Sequence, residues 1–428
     1  MAMKKETDGN KEKRPLDTRM QYLLDRRRKS STLRNLTLPK SGQVDFSSND
    51  FLSLSTNARL KQAYLHELQQ SQLPLGSGGS RLLDGNSPYA EALEHDIANF
   101  HGAEAGLLWN SGFDANAGFF SCVPQPGDVI VFDELVHASV HDGMRLSRAA
   151  QTVPFEHNSI ADLRKVLQEV TELPSRSNVF VAVESIYSMD GDVAPLQLIV
   201  DTVTEMLGEG IGHVVVDEAH STGVLGHEGR GLVCELGLEK HVFARLHTFG
   251  KALAGNGAIL LGSHTLRHYL INYARPLIYT TFLSYPSLAL IRCSYQLLRA
   301  GGTVPLQAHL HQLTEFLFKA MHQLHVTSAA ARSLLSIPSA CPQSPIFAVQ
   351  LQQPRDLAKH LQEKGMMVRA VVAPTVPLGT ERIRICLHAG NTVDQVEVLV
   401  GALEEWCKRQ FKETDRNNQP TMQMRARL

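Results

Sequence analysis

Apolar and polar positions fall in blocks along this chain. Short runs that are apolar at nearly every residue lie at 129–132, 179–183, 214–216 and 258–261, separated by segments long enough for helices. Strands that read this way are buried on both faces, so the pattern predicts a largely parallel sheet with helices on each side. A further run at 105–109 precedes the glycine turn Asn110-Ser111-Gly112-Phe113-Asp114-Ala115-Asn116 and a helix start. Upstream, Ser87 and Pro88 open a helix whose buried stripe is Leu93, Ile97 and Phe100, with Gly102 as its stop. Helical spacing predicts a helix over 16–36, carrying the basic run Arg26-Arg27-Arg28-Lys29, which reads as a solvated face or as a hold on a phosphorylated or CoA substrate. Residues 45–52 read as a strand entering a turn, and Gly76-Ser77-Gly78-Gly79-Ser80-Arg81 as a flexible segment. Beyond 285, helices at 285–298, 306–324, 356–364 and 393–411 mix with strands at 346–351 and 382–387, which predicts a second, α+β domain.

Composition narrows the class. The 428 residues are 43% hydrophobic and 20% charged with a net charge of -1, so an ample core is available and no global charge calls for nucleic acid or an acidic membrane. Six scattered cysteines without a C-x-x-C pair suggest reduced, buried thiols, with neither zinc nor disulfides. No apolar run approaches the ~20 residues of a membrane span, and no signal-peptide core is present, which predicts a soluble intracellular protein. The polar first residues show no amphipathic period and read as disordered. The tail over 412–424 reads as flexible and ends in Ala426-Arg427-Leu428, a variant of the Ser-Lys-Leu peroxisomal address.

The chemistry concentrates between Val214 and Lys251. An apolar strand ends in Asp217, His220 follows, and Thr248-Phe249-Gly250-Lys251 comes on the next element. A lysine for a Schiff base, a carboxylate to keep a pyridinium nitrogen protonated and a hydrogen-bonding group near a ring hydroxyl are what pyridoxal 5'-phosphate (PLP) chemistry needs. His137, Glu184 and Ser188 end the neighbouring apolar runs, the edge at which open α/β sheets bind ligands. The free N–H groups of the Ser111-Gly112-Phe113 turn make a phosphate seat.

These motifs resemble the α-oxoamine synthases of the fold type I PLP enzymes. The resemblance runs over residues 16–412 and rests on Ser47-Ser48-Asn49-Asp50, Gly76 to Ser80, Ser111-Gly112-Phe113, His137-Ala138-Ser139, Ser188 to Asp192, Asp217 to His220 with Gly223, Thr248 to Lys251 and Arg382-Ile383-Arg384. It implies a large α/β domain with a mostly parallel, seven-stranded-type sheet and a smaller C-terminal α+β domain, divided as an arm over 1–50, a PLP domain over 51–298, a small domain over 299–412 and a tail over 413–428. By the same resemblance, Lys251 carries PLP and moves protons, Asp217 pairs with the ring nitrogen and His137 stacks on the ring. Ser188 and His220 lie near the ring hydroxyl, and Ser111, Gly112, Phe113 and Thr248 around the phosphate or ring. Thr280 and Thr281 match a segment that reaches the partner's phosphate in a homodimer. Arg384 matches the arginine for the substrate carboxylate, Asn49 a substrate-pocket residue and Arg34 one near the acyl-CoA entrance.

The reaction implied joins an amino acid to an acyl-CoA with loss of CoA and CO2, and the resemblance is greatest to a fungal branch that uses L-alanine and pimeloyl-CoA for biotin. A relative that uses another amino acid, or a polyketide or fatty-acyl thioester, is the alternative. A catalytically dead partner subunit would lack the lysine that this chain keeps. Two stretches depart from the biotin pattern, 140–145, which ends in Arg145 and resembles glycine-using relatives, and 385–388, which ends in His388. Both bear on substrate choice. The chain is thus expected to work on an amino acid and an acyl-CoA as a homodimer in the peroxisomal matrix, delivered by the import receptor, or otherwise in the cytosol.

Overall fold

A computed structural model describes residues 14–30, 32–172, 178–208 and 210–418, with side chains up to 413. It comprises two compact units, 1–43 and 44–428. In the first, the helix Pro15–Lys29 is shorter than the predicted 16–36. It stops because the Ser30 amide and hydroxyl turn back onto the carbonyls of Arg26 and Arg27.

The second unit holds the strands β1 (Val44–Asp45), β2 (Ala105–Trp109), β3 (Val129–Asp133), β4 (Gln151–Phe155), β5 (Val179–Glu184), β6 (Gly212–Asp217), β7 (Ala244–Thr248), β8 (Ala258–Gly262), β9 (Ile346–Gln350), β10 (Met366–Met367), β11 (Arg369–Val371) and β12 (Arg382–Cys386). Seven form one sheet in the order β2-β8-β7-β6-β5-β3-β4, with β8 alone antiparallel to its neighbours. Alternate residues feed opposite faces: Ile130, Phe132, Phe180 and Val215 pack with Phe119 and Val140, whereas Val131, Val181, Val214 and Val216 pack with Leu163, Ile199 and Val203. That two-sided burial is the physical content of the apolar runs.

Two strands escaped the pattern. β7 hides because Arg245 and His247 are buried within it, where Arg245 donates to the His101 carbonyl and His247 Nδ1 bonds with the Thr222 hydroxyl. β4 is a half-exposed edge carrying Pro154, where a missing N–H is tolerated. The second sheet, β11-β12-β9, is antiparallel, and β1 pairs with β10.

Three expectations need correction. The strand over 45–52 ends at Asp45, because its carboxylate accepts the amides of Ser47 and Ser48 and turns the chain. The glycine-rich segment is held down: Ser77 donates to the Phe282 carbonyl, Phe282 donates back to Gly79, and Arg81 pairs with Glu94. The tail is helical as far as Asn418, in the helix Val393–Asn418. All six cysteines are free, but Cys341 is exposed. The first residues, expected to be disordered, and the C-terminal tripeptide lie outside the described residues.

Candidate active site

The carboxyl ends of β3, β5, β6 and β7 converge on a cavity of about 360 Å³ lined by Ser111, Phe113, His137, Asp217, His220 and Lys251, among others. Asp217 ends β6, and its two oxygens accept the Ala219 amide at 2.9 Å and the Asn116 side chain at 2.8 Å. Lys251 sits in the β7–β8 turn, which is closed by bonds between Phe249 and Gly257 and from Ala254 to the Lys251 carbonyl. Desolvation there pushes its amine down to about 8 against the attraction of Asp217 and Glu184. Burial, aided by the cations of Lys251 and Arg384, holds His220 well below the usual histidine range. The His137 ring is open to the cavity yet walled by protein, and this desolvation lowers its pKa against the pull of Asp217. Glu184, at the end of β5, is pushed well up by burial and then by repulsion from Asp217.

At one end of the cavity Ser111 caps the helix Gly112–Cys122, its Oγ accepting the Asp114 amide at 3.0 Å. A Cβ on Gly112 would stand 2.5 Å from the Thr248 methyl, so glycine is what lets this helix start close against β7. Asn110 donates to Thr280 Oγ1 and to the Thr281 carbonyl, which brings both threonines to the rim of this chain's own cavity. Phe113 is 44% exposed at the mouth and meets the His137 ring edge-on, with centroids 6.4 Å apart.

Arg384, on β12, donates through Nε to the Ser188 carbonyl at 2.6 Å and through Nη2 to Asn49 Oδ1 at 2.9 Å. The structure therefore gathers Arg384, Asn49 and Ser188, none of them among the residues that line the cavity, and Ser188 holds the arginine by its backbone. Arg34 belongs to the unit 1–43. The segment 185–192 is itself clamped. Arg382 pairs with Asp190, and His157 bridges Asp133 at 2.9 Å and Asp192 at 2.6 Å.

Several lining groups were not singled out as site residues from sequence: Asn110, Asn116, Ser139, Glu184 and Asn256. Glu184 was visible at a strand end. Asn116 had only the weak signal of a buried amide on an otherwise apolar helix. The residues fit PLP: a desolvated amine, a carboxylate with fixed partners, a helix N-terminus for a phosphate, and two buried atoms, Glu184 Oε1 and His220 Nδ1, that lack a protein partner.

The chain belongs to the class I and II aminotransferase family, in its α-oxoamine synthase branch, and the family model matches residues 41–403. It is 52% identical to an 8-amino-7-oxononanoate synthase of Emericella nidulans, over 92% of this chain and 96% of the relative. It is 40% identical to the aminoacyl transferase sphA of Aspergillus fumigatus, over 90% and 86% of the two chains. A serine palmitoyltransferase from S. paucimobilis, solved with bound PLP and myriocin, superposes with a TM-score of 0.80 over 93% of this chain and 99% of its own, at 24% identity. The fold type I architecture expected from the sequence is the one observed.

Proposed function

We propose that this chain is a PLP-dependent acyltransferase that condenses L-alanine with pimeloyl-CoA to 8-amino-7-oxononanoate, CoA and CO2, in biotin biosynthesis. The observation that carries this reading is Lys251 and Asp217 facing one cavity, with the Arg384 cation near enough to act on the Lys251 amine, in a chain 52% identical to a relative of that name.

Bound PLP supplies an electron sink for the bonds at the substrate Cα. Asp217, held on both oxygens, would pair with the ring nitrogen and so favour the protonated ring. Lys251 would carry the cofactor. Once released, its amine, with a pKa of about 8, is matched to taking a proton from Cα and returning it near neutral pH. The guanidinium of Arg384 grips the amino-acid carboxylate with the donors that Asn49 and Ser188 leave over, and so chooses which Cα bond faces the sink. The first turn after Ser111 seats the phosphate.

A homodimer is supported by the exposed apolar side chains of Tyr279, Leu83 and Leu75, which are 72%, 79% and 71% exposed. The peroxisomal location rests on Ala426-Arg427-Leu428. Arg34 remains the candidate for the acyl-CoA entrance.

The 40% identity to sphA favours a second reading, with a longer acyl thioester and another amino acid. Product analysis with purified protein decides between them. Alanine, glycine and serine compete against pimeloyl-, acetyl-, succinyl- and palmitoyl-CoA, and 8-amino-7-oxononanoate should be the main product. A long-chain amino ketone as the main product would overturn the proposal.

A further inference from the structure

The donors and acceptors behind His137 form a closed set. Asn116 Nδ2 lies 2.8 Å from Asp217 Oδ2 and 3.0 Å from Ser139 Oγ. A carboxylate only accepts, so the amide must present its NH2 to Asp217, and that group's two hydrogens serve the carboxylate and the serine hydroxyl in turn. Ser139 Oγ thus accepts from Asn116, and its own hydrogen is left for His137 Nδ1 at 2.8 Å. The Ser139 backbone amide also donates to Nδ1, at 3.2 Å, as part of the helix cap. Two donors aimed at one ring nitrogen require a lone pair there, so the ring hydrogen sits on Nε2.

We infer that Asn116 and Ser139 are positioning residues that lock His137 as the neutral Nε2–H tautomer, and this inference does not rest on the condensation reading above.

Protonating Nδ1 would break the cap and leave the amide of Ser139, which is 0% exposed, facing another N–H. The ring lines the cavity, and among the described residues no protein group bonds to Nε2. The charged and titratable groups around it are Asp217 at the end of β6, Lys251 in the β7–β8 turn, Glu184 at the end of β5, His220, and His141 on its own helix. Asp217 alone among them draws a proton toward the ring, and the same Asn116 amide already occupies one of its oxygens. The arrangement suits a donor that must stay neutral while Lys251 changes charge nearby.

The test is a 15N–1H correlation spectrum of the PLP-loaded protein labelled at histidine nitrogens, with His137 assigned by the signals lost in His137→Asn. From about pH 6.5 to about 8.5, His137 should show an unprotonated Nδ1 and a protonated Nε2. Ser139→Ala should convert this to a mixture of tautomers and lower kcat/KM for the amino acid about tenfold, which corresponds to about 1.4 kcal/mol. A doubly protonated or Nδ1–H ring in the unmodified protein, or an unchanged ring in Ser139→Ala, overturns the inference. The unmodified spectrum decides even if Ser139→Ala or Asn116→Ala fails to fold. A protein that shows the tautomer but makes no product from pimeloyl-CoA supports the lock and overturns only the substrate reading.

Discussion

The Lys251 amine is desolvated among opposite charges that do not fully repay the cost, which leaves it at about 8. A depressed lysine is protonated below that value and a free base above it. PLP uptake by PLP-free protein, followed by visible absorbance, should therefore speed up about tenfold per pH unit below 8 and level off above it. A flat profile would contradict the assignment. Lys251→Ala should lose the borohydride-sensitive visible band and at least about a thousandfold in turnover, measured by CoA release. In the sequence Lys251 stood out by the Thr248-Phe249-Gly250-Lys251 motif, since the strand before it is not apolar. His137, Asp217 and His220 were legible as positions because each ends or closely follows an apolar run at one sheet edge. Asn116 was not, since its meaning is a bond to a carboxylate 101 residues away. Ser188 was legible as a position but not as a role, because a carbonyl does its work and every residue has one.

The segment that leaves β5 is bonded to both sheets of the second unit, to β12 through Asp190 and Arg382 and to Asp133 of β3 through Asp192 and His157. His157 is opposed by burial, yet its bonds to Asp133 and Asp192 prevail and push it up to about 10. A raised pKa means that the clamp contributes fully below the ordinary histidine value of 6.5 and fades as pH rises through about 10, so it is intact at neutral pH. His157→Gln leaves Asp133, fully buried, without its cation. The loss should be on the order of 2 kcal/mol, read as a lower midpoint in urea, after allowing for partial exposure of the pair. Because the same segment presents the Ser188 carbonyl to Arg384, KM for alanine should rise several-fold while KM for pimeloyl-CoA stays level. Equal changes in both would show a global effect in place of a local one. Elements were legible where burial is two-sided and apolar, as in β3, β5 and β6. β7 was not, because its buried arginine and histidine find partners only in the folded chain.

For the molecule as a whole, we propose that catalysis and address are separable. The last three residues lie outside the described residues, and none of the residues lining the cavity comes from beyond Gly257 in the sequence. Deleting Ala426–Leu428 should leave kcat unchanged and move the protein from peroxisomes to the cytosol, as seen by fluorescence microscopy in fungal cells. An unaltered location rejects the address. The sequence by itself determined the class of fold and placed His137, Asp217 and His220 at one edge of its sheet, because strand-end placement follows from hydrophobic period and local order along the chain. Only the tertiary structure decided which groups restrain them: the amide that joins Asp217 to the His137 network, the carbonyl that aims Arg384, and the histidine that clamps its loop. Those are contacts between distant segments, set by packing and by donor–acceptor balance in a buried space, and no local pattern encodes them.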